Sequence, residues 1–166
     1  MEVATGPGSN STRSGLAGMA RERTLPVQIV FVDTNILLYS HDAHDATKHR
    51  AAVKLLAELW DSGRGVLSTQ VLQEFYSAAT RKLQPALTPQ QARQVVHDYS
   101  DWCRVDTDPL LIISASELSE QHSINFWDAL IVEAALRAGA VELVTEDLQN
   151  GRRFEHLRVR NPFLTP

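Results

Sequence analysis

Ile29-Val30-Phe31-Val32-Asp33-Thr34-Asn35-Ile36-Leu37-Leu38-Tyr39 decides the fold class. Ile29 to Val32 is an unbroken apolar run rich in β-branched residues, which reads as a strand buried on both faces. Such strands belong to parallel sheets covered by helices. Asp33-Thr34-Asn35 breaks the run with three short polar residues, and the apolar pattern that resumes at Ile36 has helix-compatible spacing. Asp is a good helix cap, so Asp33 has an ordinary duty at the start of that helix. It also stands at the carboxyl end of a buried strand, where open α/β sheets place their sites.

Helix and strand patterns alternate downstream. Thr47 to Trp60 carries apolar residues at Val53, Leu55, Leu56, Leu59 and Trp60, an amphipathic helix ended by Gly63 and Gly65. Val66-Leu67-Ser68 predicts a second strand. Thr69 then predicts the cap of a helix running from Gln70 to about Arg81, with Val71, Leu72, Phe75 and Ala79 as its buried stripe and Glu74 beside that stripe. Thr88-Pro89-Gln90-Gln91 supplies a cap, a first-position proline and a capping-box glutamine for a helix to about Asp101. Trp102 to Val105 predicts a third strand. Pro109 opens a helix to about Gln121 with Leu111, Ile112, Ala115 and Leu118 inside. Ala129 to Ala138 is the core of the most apolar helix, with Gly139 at its end. If Asn125 caps it, Asp128 is its third residue, placed for a reciprocal cap and at the mouth of the core. Val141 to Thr145 and the alternating Leu157-Arg158-Val159-Arg160 supply further strands. The alternation gives an α/β fold with a mainly parallel sheet.

The 166 residues fit one domain, and a 43% hydrophobic content supports a real core. The low-apolar stretch 1–24, rich in Gly, Ser and Thr, reads as a disordered tail before a domain spanning 25–166, with Met19 as an alternative start. A net charge of −4 excludes a nucleic-acid binder that works by charge alone. A lone Cys103, which cannot form an internal disulfide, and the lack of a secretory apolar region point to a reducing compartment, the cytoplasm, and with no apolar run approaching 18 residues no membrane span is expected. Cys103 is expected to be a buried small hydrophobe. His41-Asp42-Ala43-His44-Asp45 reads as a solvated loop.

Asp33 and Asp147 follow strands, Glu74 lies about a helical turn past one, and Asp128 opens the most apolar helix. In a parallel sheet these places can converge on one carboxyl edge. Clustered carboxylates repel and are usually held with cations. An oxygen-only donor set points to Mg²⁺ or Mn²⁺, a common device for displacement at phosphorus. Arg81, Lys82, Arg152 and Arg153 are candidate phosphate contacts.

Val32-Asp33-Thr34-Asn35, Gln73-Glu74-Phe75, Phe126-Trp127-Asp128-Ala129-Leu130-Ile131, Leu143 to Leu148 and Val159-Arg160-Asn161-Pro162-Phe163 together resemble a PIN-domain ribonuclease, more narrowly a VapC-type toxin of a bacterial toxin–antitoxin pair. The resemblance spans Val27 to Phe163. It implies a three-layer fold with helices on both faces of the sheet, and cleavage of RNA. It implies Asp33, Glu74, Asp128 and Asp147 as catalytic metal-holding carboxylates, with Thr34 and Thr145 supporting them and Asn35 nearby. Glu146 competes with Asp147 for the inward position. It further implies a VapB-type antitoxin partner and a homodimer. A catalytically silent scaffold, or a metal-dependent nuclease or phosphatase acting on another substrate, remains the alternative.

Overall fold

The computed structural model describes residues 26–164. The expected disordered tail, residues 1–24, lies outside them. Six strands form one sheet: β1 (Val30–Val32), β2 (Gly65–Ser68), β3 (Cys103–Val105), β4 (Glu142–Val144), β5 (Arg153–Phe154) and β6 (Leu157–Arg160). Six helices accompany them: α1 (Thr34–Tyr39), α2 (Ala46–Ser62), α3 (Thr69–Ala79), α4 (Pro89–Asp98), α5 (Pro109–His122) and α6 (Phe126–Arg137). The strand order is β3-β2-β1-β4-β6-β5, parallel except for the β5–β6 hairpin. Helices flank the sheet, as the α/β reading requires.

The order reverses beside β1, with β2 on one side and β4 on the other. That switch point opens a crevice outside the carboxyl ends of β1 and β4. Phe31, Val32, Leu143 and Val144 are fully buried there, so these ends cannot slide without exposing core. The backbone N–H of Asp33 donates to the carbonyl of Val144 at 3.1 Å and fixes the two ends against each other.

The local signals hold at most helix starts. Thr88 and Gln91 make the reciprocal capping box, Asp45 caps α2, and Asn125 caps α6 by accepting from Trp127 and Asp128 N–H groups. Gly63 closes α2 at φ +64°, where a side chain would be strained. Gly65 is needed for another reason: a Cβ there would lie 2.2 Å from the Trp102 ring.

Several expectations need correction. Ser68, not Thr69, occupies the cap position of α3, and the Thr69 hydroxyl instead bonds Asp106 at the end of β3. Helix α4 stops at Asp98, because Ser100–Trp102 form a 3-10 turn that turns Trp102 under Gly65, and β3 begins only at Cys103. Cys103 is half-buried because β3 is an edge strand. Val53, Trp60 and Ile112 are exposed, since the helix stripes that face the sheet are narrower than their apolar residues. The two-residue strand β5 has too little pattern to be read from sequence.

Candidate active site

Asp33 is at once the cap of α1 and the deepest acid at the crevice. It is 6% exposed. Its Oδ1 accepts from the Thr34 N–H at 2.6 Å, the capping bond. Its Oδ2 accepts from the Thr145 hydroxyl at 2.7 Å and from Asn35 Nδ2 at 3.3 Å. Thr145 is fully buried at the end of β4, so the hydroxyl is fixed by the core rather than by solvent.

Asn35 ties two acids together. Its Nδ2 donates to Asp147 Oδ2 at 2.9 Å and to Thr145 Oγ1 at 3.1 Å besides Asp33. Two hydrogens serve three acceptors, so the longer contact to Asp33 is the weakest. The Thr145 hydroxyl also accepts from the Asp147 N–H at 3.1 Å. Glu74 enters from α3: Thr34 Oγ1 donates to its Oε2 at 3.1 Å, and Gln70, one turn earlier, donates to its Oε1 at 2.8 Å. Asp128 enters from the first turn of α6. Its N–H is capped by Asn125, but its carboxylate accepts no hydrogen bond from any described residue, so the reciprocal cap does not form. A cap satisfied from outside leaves that carboxylate free.

Glu146 and Asp147 point to opposite duties. Glu146 Oε2 takes the Lys48 ammonium at 2.6 Å, and its Oε1 accepts from the Tyr39 hydroxyl at 2.6 Å. Lys48 also lies 4.5 Å from the Tyr39 ring centroid. Glu146 is thus a strut between α1, α2 and the loop after β4, and Asp147 is the residue turned to Asn35.

The charges interact. Burial pushes the Asp33 carboxyl up to about 7, against the pull of the Thr145 and Thr34 hydrogen bonds, and the negative charges of Asp147 and Glu74 add to the rise. Partial burial raises Asp128, again with Asp147 and Glu74 contributing. Asp147 and Glu74 therefore act on both of the other acids. Among the described residues none of the four is ion-paired with Lys or Arg. Such a cluster is a folded-state cost unless cations offset it.

The structure thus brings Asp33, Glu74 and Asp147 into one hydrogen-bonded network through Thr34, Asn35 and Thr145, and Asp128 into the same field. Among the described residues no group of three or more His, Cys, Asp and Glu side chains is gathered closely enough to hold a metal ion as it stands. The surroundings nevertheless fit a hydrated hard cation. The donor set is all oxygen. Two buried acceptors beside the acids, Asn35 Oδ1 and Gln70 Oε1, have no hydrogen-bond partner among the described residues. Buried acceptors of this kind call for a donor, and a water held on a cation would supply one.

The candidate phosphate contacts divide. Arg81 folds back on Ser77, and Arg152 donates to the His122 carbonyl at 2.6 Å. Lys82 is exposed. Arg153 lies at the opposite edge of the sheet, with the starts of β1 and β4, because the β5–β6 hairpin turns back there. Sequence reading missed Gln70 and Lys48. Gln70 was findable, since i, i+4 spacing on α3 puts it beside Glu74; Lys48 was not, since its partner is 98 residues away.

Among curated proteins no relative matches. Solved structures do. A toxin–antitoxin complex from Klebsiella pneumoniae is 18% identical with a TM-score of 0.58, covering 80% of this chain and 97% of that one. VapBC2 from Rickettsia felis, bound to a promoter DNA fragment, is 20% identical with a TM-score of 0.51, covering 81% and 98%. VapC20 from Mycobacterium tuberculosis, a toxin that cleaves the sarcin–ricin loop, is 23% identical with a TM-score of 0.52, covering 69% and 86%. These likenesses concern the fold. The PIN domain profile matches residues 30–157, from the first strand to the start of the last, and the chain belongs to the PIN domain family.

Proposed function

We propose that this chain is a metal-dependent endoribonuclease and the toxin of a toxin–antitoxin pair. The observation that carries the reading is the cluster of Asp33, Glu74, Asp128 and Asp147, mutually repelling and paired with no described Lys or Arg, at the switch point of a PIN domain. These carboxylates would hold Mg²⁺ or Mn²⁺, which when bound supplies the positive charge that activates water and neutralises a phosphodiester.

The chain's own residues prepare that role. Thr145 and Asn35 orient Asp33 and Asp147 so that their oxygens share one side of the crevice. Thr34 and Gln70 fix both oxygens of Glu74. The Asp128 carboxylate accepts no hydrogen bond from any described residue and so remains available. Asp33, raised to about 7 in the metal-free protein, must lose its proton to act as a ligand, and a cation lowers the cost of doing so.

RNA as substrate rests on the likeness to toxins, one of which cleaves the sarcin–ricin loop. A VapB-type antitoxin partner rests on the neighbours that are toxin–antitoxin complexes, and a homodimer on the family resemblance. No helix among the described residues is long and apolar enough to cross a membrane. The test is incubation with single-stranded RNA, single-stranded DNA and a phosphomonoester, each with Mg²⁺, Mn²⁺ or EDTA. RNA cleavage that needs metal and is lost in Asp33→Asn supports the reading. A silent scaffold cuts nothing in either protein, and cleavage that persists in EDTA refutes the metal–carboxylate mechanism.

A further inference from the structure

The edge of the sheet opposite the acids carries the reverse charge. A cavity of about 300 Å³ opens there, lined by Gln28, Arg64, Glu142, Arg153, His156 and Arg158. In a protein of net charge −4, this local collection of cations needs a reason.

The backbone creates the concentration. Arg153 on β5 and Arg158 on β6 are direct partners in the antiparallel pair, so their side chains share one face of the hairpin. Like charges directly opposite one another destabilise a strand pair. Arg64, in the link from α2 to β2, brings a third guanidinium to the same cavity. Glu142 is the natural partner for Arg158, since the two are register partners across β4 and β6. Its Oε1 is instead taken by Arg160 Nε at 2.9 Å. The carboxylate in the cavity is thus already balanced. Among the described residues none of Arg64, Arg153 and Arg158 is ion-paired. Arg64 Nε donates to Ser62 Oγ at 3.1 Å, which holds the arginine in place without neutralising it. His156, in the two-residue turn of the hairpin, also lines the cavity.

We propose that this cavity is a phosphate-binding site, remote from the acidic crevice, that takes phosphate groups of an RNA strand. Guanidinium groups present forked donors that match phosphate oxygens, and three around one cavity without carboxylate partners form a receptor for a multiply charged oxyanion. The phosphate chemistry follows from the cavity alone; RNA as its source rests on the endoribonuclease reading. The cavity and the acidic crevice lie at opposite ends of the parallel strands, so an RNA strand that engages both runs around the outside of the domain. A strand anchored by phosphates at the basic edge enters the acidic crevice without that crevice having to attract an anion first.

The test separates the site from its source. In EDTA, thermal melts of the full chain with inorganic pyrophosphate read the site without any metal at the acids. Saturating pyrophosphate should raise the melting temperature of the parent and of Asp33→Asn by roughly 5–10 °C, the scale of ligand linkage at about 100 times Kd. The shift should be lost in Arg153→Gln/Arg158→Gln, and reduced in Arg64→Gln. Without pyrophosphate the double variant should melt no lower than the parent, because it removes a repulsive pair. Anisotropy of a labelled single-stranded RNA, again in EDTA, then reads the source. Two lost phosphate contacts should weaken binding at low salt and flatten the slope of log K against log salt by about 1.4. A pyrophosphate shift with unchanged RNA binding keeps the site but overturns RNA as its source. An equal pyrophosphate-induced shift in parent and double variant, or no shift in the parent, overturns the site. Loss of RNA cleavage alone bears only on the acidic crevice, since neither readout uses it.

Discussion

Asp33→Asn should stabilise the metal-free protein at alkaline pH even as it removes activity. Asp33 is raised from 3.8 to about 7, mostly by burial, so keeping it ionised in the fold costs about 4 kcal/mol above pH 7. The sign follows from proton counting. Between those two values the folded state holds a proton that the unfolded state has released, so lowering the pH stabilises the fold, and raising it through 7 completes the penalty. Asn carries no charge and keeps one acceptor oxygen for the Thr34 N–H. Its amide then faces the Thr145 hydroxyl, which can rotate to accept, and Asn35 Nδ2, which cannot. Those rearranged bonds cost about 1–2 kcal/mol. The balance at pH 8 is a gain of about 2–3 kcal/mol, or roughly 5–10 °C for a domain of this size. At pH 5 the parent's own penalty has fallen by about 2–3 kcal/mol, so the advantage should vanish. Urea or thermal unfolding in EDTA at pH 5 and pH 8 measures both numbers. A variant less stable than the parent at pH 8, or an advantage that ignores pH, refutes the account of Asp33 as a buried, uncompensated carboxylate.

Other outcomes follow from the same geometry. Mg²⁺ or Mn²⁺ at about 100 times Kd should stabilise the parent by about 2.7 kcal/mol, reversed by EDTA and mostly absent in Asp33→Asn, as read by thermal melts. Asp128→Asn should abolish RNA cleavage while leaving the metal-free melting temperature equal or slightly higher, because its carboxylate accepts no hydrogen bond and is repelled by Asp147 and Glu74; retained cleavage would make it a spectator. Asn35→Ala should lower stability by about 1–2 kcal/mol and lower cleavage without abolishing it, since it removes the donor shared by Asp33 and Asp147 but no carboxylate. Gly65→Ala should cost about 1–3 kcal/mol through its collision with the Trp102 ring, measured by urea unfolding.

The fold was legible where patterns are local and strong. The apolar run at β1, the capping box at Thr88 and Gln91, and the apolar length of α6 each name their element by period or cap. What escaped was set by tertiary partners. Trp60 and Val53 look like core residues on a helical wheel, but only the neighbours decide how wide a stripe is covered. Trp102 looks like the start of a strand, and becomes part of a 3-10 turn because Gly65 leaves its ring a place to lie. Arg153 reads as a phosphate contact from its charge, and a two-residue hairpin carries it to the far edge of the sheet.

The acids posed a different difficulty, because cap and site are not competing explanations. Asp33 caps α1 with one oxygen and turns the other to Thr145, so one residue satisfies both readings. Helix starts at the carboxyl edge of a parallel sheet expose unpaired N–H groups and the positive end of the helix dipole, which favour acids for purely structural reasons. The same positions are those a crevice at the switch point would use. Residue type therefore cannot separate the two roles, and the bonding of each oxygen can. Asp128 is the sharper case: Asn125 already caps α6, which leaves the Asp128 carboxylate with no structural duty and a charge that its neighbours resist. An acid that the fold neither needs nor welcomes is the one whose removal should damage chemistry and spare stability.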